Sequence, residues 1–186
     1  EAQGEAKNVM SANKNILKPG SGEMIVMVQK PLDIVLGTYW LTKEVPGAKG
    51  EGKFFPSPNS AILAQDYDAI DLRAEISVLP MTHKPKYQGF DGKPFETTVG
   101  RLRFNTVLPA DYPFINEAIT KKVLSRIMSD CIVRYGIDAI PGIVNKVKRF
   151  GFEYATRSGV TWSIDDVKVP AMKEAVIEAA RVKVGK

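Results

Sequence analysis

The sequence predicts an α+β fold: a small antiparallel β part with helices, followed by a helical part that ends in one arm of a coiled coil. Three observations carry this. Two runs alternate at strand period on either side of an Asp91-Gly92 turn signal. Apolar residues recur every three and four positions from Ile119 to Tyr135, and again from Ile143 to Tyr154. Met172, Val176, Ala179 and Ala180 form a narrow, alanine-bearing stripe near the C-terminus, which suits a coiled-coil partner better than a globular core.

Taken in order, residues 1–10 read as helix ending near Ser11. Lys18-Pro19-Gly20-Ser21-Gly22 reads as a loop, because proline and two glycines cannot continue the helix. Met24 to Val28 reads as a short strand. Pro31 and Asp33 open a helix, with Asp33 as the cap and Ile34, Val35, Leu36, Tyr39 and Trp40 as a wide apolar face; Gly37 in its middle either weakens the helix or marks close packing. The glycines and prolines of residues 44–56 make a loop or hairpin. Ser57 caps the next helix with Pro58 at its first position.

Leu72, Ala74, Ile76 and Val78 then alternate with polar residues as a half-buried strand. Pro80 to Glu96 is a basic loop whose tip is Phe90-Asp91-Gly92-Lys93. Thr97 to Leu108 pairs back as a second strand, with Leu102, Phe104 and Leu108 inward and Arg101, Arg103 and Asn105 outward. In the C-terminal third, Gly136 stops one helix and Pro141 starts another, which turns Lys146, Lys148 and Arg149 outward. A last helix starts at Pro170. The organisation is therefore a mixed part over 1–110, a helical part over 111–168 and the start of a coiled coil over 169–186, with a boundary near Pro109 to Pro113. Both ends read as cut, so a fragment of something larger is expected.

The bulk chemistry narrows the function classes. A hydrophobic share of 44% and a charged share of 25% are those of an average globular chain. Twenty-six basic against twenty-one acidic side chains give +5, a mild excess compatible with a polyanionic partner. There is no apolar run of about 18 residues, so no membrane partner is expected. A single cysteine excludes an internal disulfide and fits a reducing compartment. No glycine-rich phosphate loop, HExxH or paired CxxC is present. His83, between basic loop residues, reads as a solvated imidazole, and Cys131, on a buried stripe, as an inert core thiol.

The most distinctive stretch is Gly151 to Asp166. Phe152, Tyr154 and Trp162 are interleaved with Arg157, a Ser158-Gly159 break follows, and Val160, Trp162 and Ile164 alternate at strand period. This reads as a helix that ends, a tight turn, a short extended piece and a capped restart. An arginine in such an aromatic turn is either held by a bidentate partner within the protein or offered to nucleic acid. Asp165 and Asp166 read as caps, or as a metal-like pair that would need further ligands from elsewhere. Lys146, Lys148 and Arg149 are a solvated helix face, or a contact to phosphate or to an acidic neighbour.

Several separated stretches together resemble the bacterial RNA polymerase beta' subunit, in the same order. They are Glu1-Ala2-Gln3 with Glu5-Ala6, Asn15-Ile16-Leu17 with Pro19, Gly22-Glu23, Asp33-Ile34-Val35-Leu36-Gly37 with Tyr39, and Ala48-Lys49-Gly50-Glu51-Gly52. Further on come Thr97-Thr98-Val99-Gly100-Arg101, Leu108-Pro109, the Gly151 to Asp166 stretch, and Val169-Pro170.

The resemblance implies a position just after the Asn-Ala-Asp-Phe-Asp-Gly-Asp loop that holds the catalytic magnesium. The segment itself would therefore carry no catalytic residue and no cofactor; magnesium would be bound outside it in the intact nucleotidyltransferase. It implies the pore domain, which lines the secondary channel for nucleotide entry and backtracked RNA. Arg101, Lys146, Arg149, Arg157, Ser158, Asp165 and Asp166 are then candidate nucleotide, RNA or structural contacts. The implied partners are the beta, alpha, omega and sigma subunits, the DNA template and RNA, and secondary-channel factors near the C-terminal helix, in the cytoplasm. The alternative is a free-standing nucleic-acid- or protein-binding module.

Overall fold

The computed structural model describes residues 1–18, 20, 24 and 32–185. Pro19, Ser21 and Gly22 of the expected loop, most of the strand expected over 24–28, and Pro31 lie outside the described residues. An opening helix α1 (Ala2–Glu5) runs on through a π-helical turn (Ala6–Met10) to Ser11, as the composition suggests. Leu17 and Met24 form an isolated antiparallel bridge. Helix α2 (Leu32–Thr42) carries Asp33 inside its first turn rather than at a capping position.

The sheet has three short strands in the order β1 (Phe54–Phe55), β2 (Glu75–Val78), β3 (Phe95–Thr98). β1 lies parallel to β2, so residues 44–56 do not close a hairpin. β2 and β3 are antiparallel, with Ile76 opposite Thr97 and Val78 opposite Phe95. Between β1 and β2, helix α3 (Pro58–Asp66) starts as expected, its Ser57 hydroxyl accepting from the Ser60 amide at 3.1 Å. The basic loop is not irregular throughout. A 3-10 turn over Pro85–Phe90 leads to Asp91 in the left-handed region, φ 48°. Tyr87, Phe90, Phe95 and Phe114 then pack together over the sheet, Phe90 stacked on Phe95 at 3.9 Å.

The second strand expected over Thr97 to Leu108 is corrected by the structure. Only Phe95–Thr98 is extended, and Val99–Val107 is helix α4. The reason is local. The Thr98 hydroxyl accepts from the Arg101 amide at 3.2 Å, so a capping side chain starts a helix at the residue where pairing stops. Leu102 and Phe104 alternate, but Val99–Leu102 and Gly100–Phe104 also satisfy helical spacing, and all four residues are buried. The outward face is corrected with it: Asn105 is 1% exposed, and the Arg101 and Arg103 side chains are mostly covered.

Three longer helices complete the chain: α5 (Lys121–Tyr135), capped by Thr120 and stopped at Gly136, α6 (Ile140–Ser158) and α7 (Lys173–Val184). Pro141 stands in the first turn of α6, as read. Pro170 precedes α7 by three residues rather than opening it.

Two apolar clusters hold the fold. One, continuous with that aromatic group, joins Ala61, Ile70, Ile76, Val78, Val99 and Leu102. The other gathers Ile16, Ile34, Phe104, Ile119, Met128 and Val147, among others, from both ends of the chain. The most extensive helix contact is α2 against α6. It is possible because Gly37 faces Gly151: a Cβ on Gly37 would lie 1.9 Å from the Gly151 carbonyl oxygen. The sequence reading of Gly37 as a close-packing position holds.

Candidate functional site

Helix α6 positions most of the candidate residues. Lys146, Arg149, Glu153 and Arg157 follow one another at three and four residues, so they share one face, and all four are exposed. The opposite face buries Ile143, Val144, Val147, Gly151 and Tyr154. Lys148 falls between the two and is half-buried.

Phe152 and Arg157 do not form an aromatic turn, because α6 continues through both to Ser158. Arg157 pairs with Glu153 one turn back at 2.8 Å, and its guanidinium lies 5.4 Å from the Tyr154 ring centroid. Both partners are more than half exposed, so the pair adds little stability and leaves the guanidinium open to water. Ser158 Oγ donates to the Ala155 carbonyl at 2.7 Å and accepts from the Val160 amide at 3.2 Å, while Gly159 takes the left-handed conformation that ends the helix.

Beyond Gly159 the expected extended piece is not a strand. Val160, Trp162 and Ile164 alternate, but among the described residues no neighbour offers a ladder or a buried face, and every one from 159 to 185 is exposed. Asp165 and Asp166 sit in a 3-10 turn (Ile164–Asp166). The Ser163 hydroxyl accepts from the Asp165 amide at 3.2 Å, and Asp166 Oδ2 accepts from the Ser163 amide at 2.7 Å. This reciprocal capping closes their own turn rather than starting α7. Among the described residues no group of three or more His, Cys, Asp or Glu side chains is placed to hold a metal ion.

Arg101 lies elsewhere, at the C-terminal end of α2. Its Nε donates to the Thr42 carbonyl at 3.1 Å, and its Nη2 stands 3.5 Å from Glu44 Oε2. A cation on a terminal helix carbonyl is where the helix dipole favours it. Thr42 also links α2 to the segment before α5, since its hydroxyl accepts from the Ile119 amide at 2.8 Å. Arg101 is thus not brought together with the α6 face.

Two polar residues that hold this region had no sequence signal strong enough to single them out. Asn105 replaces a missing backbone ladder: its Oδ1 accepts from the Ile115 amide, and its Nδ2 donates to the Ile115 and Arg101 carbonyls, each at 2.8 Å. Lys86 donates from Nζ to the carbonyls of Asn105 and Leu108 at the end of α4. Burial pushes the Lys86 ammonium down to about 8; Asp111 opposes that shift and Lys84 adds to it. Lys84, Lys86 and Lys146 border one open cavity of about 520 Å³.

The two remaining residues singled out in the sequence differ in exposure. His83 is exposed in a turn. Cys131 is fully buried, and burial together with the Asp130 charge pushes its thiol up to about 11.

Comparison with known proteins places this geometry in a family. Residues 15–167 match the family described as RNA polymerase Rpb1, domain 3. The chain is 40% identical, over 98% of its length, to a DNA-directed RNA polymerase subunit beta' of Saccharopolyspora erythraea, of which it covers 14%. It is 39% identical over 97% of its length to the subunit beta' of a Sulfurihydrogenibium species, covering 11% of it. It is 40% identical over 100% of its length to that of Acidothermus cellulolyticus, covering 15%. The chain thus spans only a small part of the curated relatives it matches.

Proposed function

The chain belongs to the RNA polymerase Rpb1 domain 3 family, within the DNA-directed RNA polymerase subunit beta', and on that premise we propose that it is a wall segment of a transcribing polymerase that borders the secondary channel. The observation that carries this reading is the collinear match over residues 15–167, with relatives aligned across nearly the whole chain. The exposed basic face of α6 supports it, because Lys146, Arg149 and Arg157 would favour the phosphates of nucleotide or RNA in a narrow aqueous passage.

In this reading the segment is structural and electrostatic, and its partners are the other polymerase subunits with DNA and RNA. Nucleotidyl transfer needs magnesium; Asp166 is engaged in its own capping turn, and among the described residues no group of three or more His, Cys, Asp or Glu side chains is placed to hold a metal ion. The exposed α7, with Val176 and Ile177 on its surface and Met172 just before it, would be one arm of a coiled coil that takes a second helix and regulatory factors. The division into parts at 1–110, 111–168 and 169–186 belongs to the same proposal. Among the described residues no helix is long and apolar enough to cross a membrane.

Site-specific photo-crosslinking tests the reading. A crosslinker is placed at Arg149 or Arg157 in a polymerase assembled with the full-length subunit carrying this segment, and the complex is driven to backtrack on radiolabelled RNA. Channel-bordering residues crosslink to the extruded RNA 3′ end. If both positions label only protein, in every backtracked register, the channel assignment is wrong.

A further inference from the structure

The cavity bordered by Lys84, Lys86 and Lys146 is built from four separate stretches: the start of α3, the basic loop, α4 with the residues after it, and α6. Its volume, about 520 Å³, is that of a small-molecule site. Three ammonium-bearing side chains line it and no carboxylate does, so the wall is electrostatically incomplete. Ile62, Met81 and Leu102 supply an apolar lining beside those cations. Lys86 is fixed: two of its three N–H groups go to the Asn105 and Leu108 carbonyls, which leaves one for a ligand. Low-dielectric concave walls focus such a field, so an anion is drawn to the concavity rather than to the flat surface.

We propose that this cavity binds a small amphiphilic anion, with a phosphate or carboxylate head held by Lys84, Lys86 and Lys146 and an apolar body lying against Ile62, Met81 and Leu102. Charge alone is not the recognition element, because the exposed Arg149 and Arg157 on α6 offer that outside the cavity. Apolar surface alone is not either, because an uncharged body would leave the three lysines on the wall with no carboxylate in the lining to answer them. The two together define the ligand class. The inference does not rest on the transcription reading; its test uses this chain alone, so the two can fail separately.

The chain is titrated with 1-naphthyl phosphate, and in parallel with inorganic phosphate and with 1-naphthol, following the Met81 methyl resonance and the heat of binding. The expected result is that 1-naphthyl phosphate binds at least about tenfold more tightly than either half-ligand and shifts the Met81 methyl. The double variant Lys84→Gln/Lys146→Gln, at two exposed positions, weakens it by about tenfold or more while the melting temperature stays put. Affinity also falls as pH rises through about 8, where Lys86, faced by Asp111 and Lys84, loses its proton. Equal affinity for the whole ligand and for either half, an unmoved Met81 methyl, or unchanged binding by the folded double variant would each overturn the proposal.

Discussion

Gly37 of α2 and Gly151 of α6 meet backbone to backbone: a Cβ built on Gly37 would stand 1.9 Å from the Gly151 carbonyl oxygen and 2.6 Å from the Ala155 amide nitrogen. Both obstructing atoms are main chain and cannot swing aside. Gly37→Ala therefore forces the two helices apart and is expected to destabilise by about 3 kcal/mol, the upper end for overpacking. Gly142→Ala, on the same α6 where a Cβ would meet nothing within 4 Å, is expected to be neutral or to stabilise by up to about 1 kcal/mol. Urea midpoints of the two variants separate the cases. Equal effects would mean that the helices do not approach this closely.

Asn105 satisfies both main-chain groups of Ile115 with one side chain. Asn105→Ala leaves a half-buried amide and a half-buried carbonyl without partners, at an expected cost of about 1–3 kcal/mol. Asn105→Asp is expected to cost more at neutral pH, because it sets a carboxylate against the Ile115 and Arg101 carbonyls that Nδ2 now serves. Chemical denaturation of both variants gives the ranking, and an Ala variant as stable as the parent would remove Asn105 from the framework.

Lys86 makes stability depend on pH in a defined direction. Burial holds its folded-state proton affinity down at about 8, while the unfolded chain keeps the ordinary lysine value near 10.5. Between these two values the unfolded state binds more protons, so this contribution rises with pH across that window and is flat below it. Contributions from other groups are shared with a Lys86→Met variant and cancel in the difference. Stability of the parent minus that of the variant, measured at steps through this window, is expected to climb. A level or falling difference would contradict the buried ammonium.

Cys131 is fully buried, and its thiol is held at about 11. In the folded chain its alkylation by iodoacetamide near neutral pH is expected to be about 100-fold slower than in denaturant from the loss of thiolate alone, and slower still from burial. A folded-state rate close to the denatured one would show that α5 opens readily around it.

How much of this was legible in the sequence depended on whether one signal outweighed its rivals. Ser57-Pro58 and the stripe from Ile119 to Tyr135 each had a single physical reading, and each holds; Gly37 had two, a weak point in the helix or a close-packing position, and the second holds. Residues 99–107 carried two: Leu102 and Phe104 fit strand and helix alike, and the Thr98 cap that decides between them lacks the glutamate that usually accompanies such a cap. Val160, Trp162 and Ile164 alternate, but alternation makes a strand only when an adjoining edge or core receives it, and none does. The lysine-bordered cavity was not legible at all, because its wall is assembled from stretches that sit far apart along the chain.

The passage from β3 to α4 takes place at Thr98 itself, with no linker between the ladder and the first helical turn. Four residues later Leu102 enters one core, and two after that Phe104 enters the other. A joint of this kind has no slack. Force applied to the three-stranded corner is passed to the helices as displacement rather than absorbed as bending, so the body from β1 to Ser158 should travel as one rigid lever. Any articulation against a neighbour is then left to the stretch after Gly159.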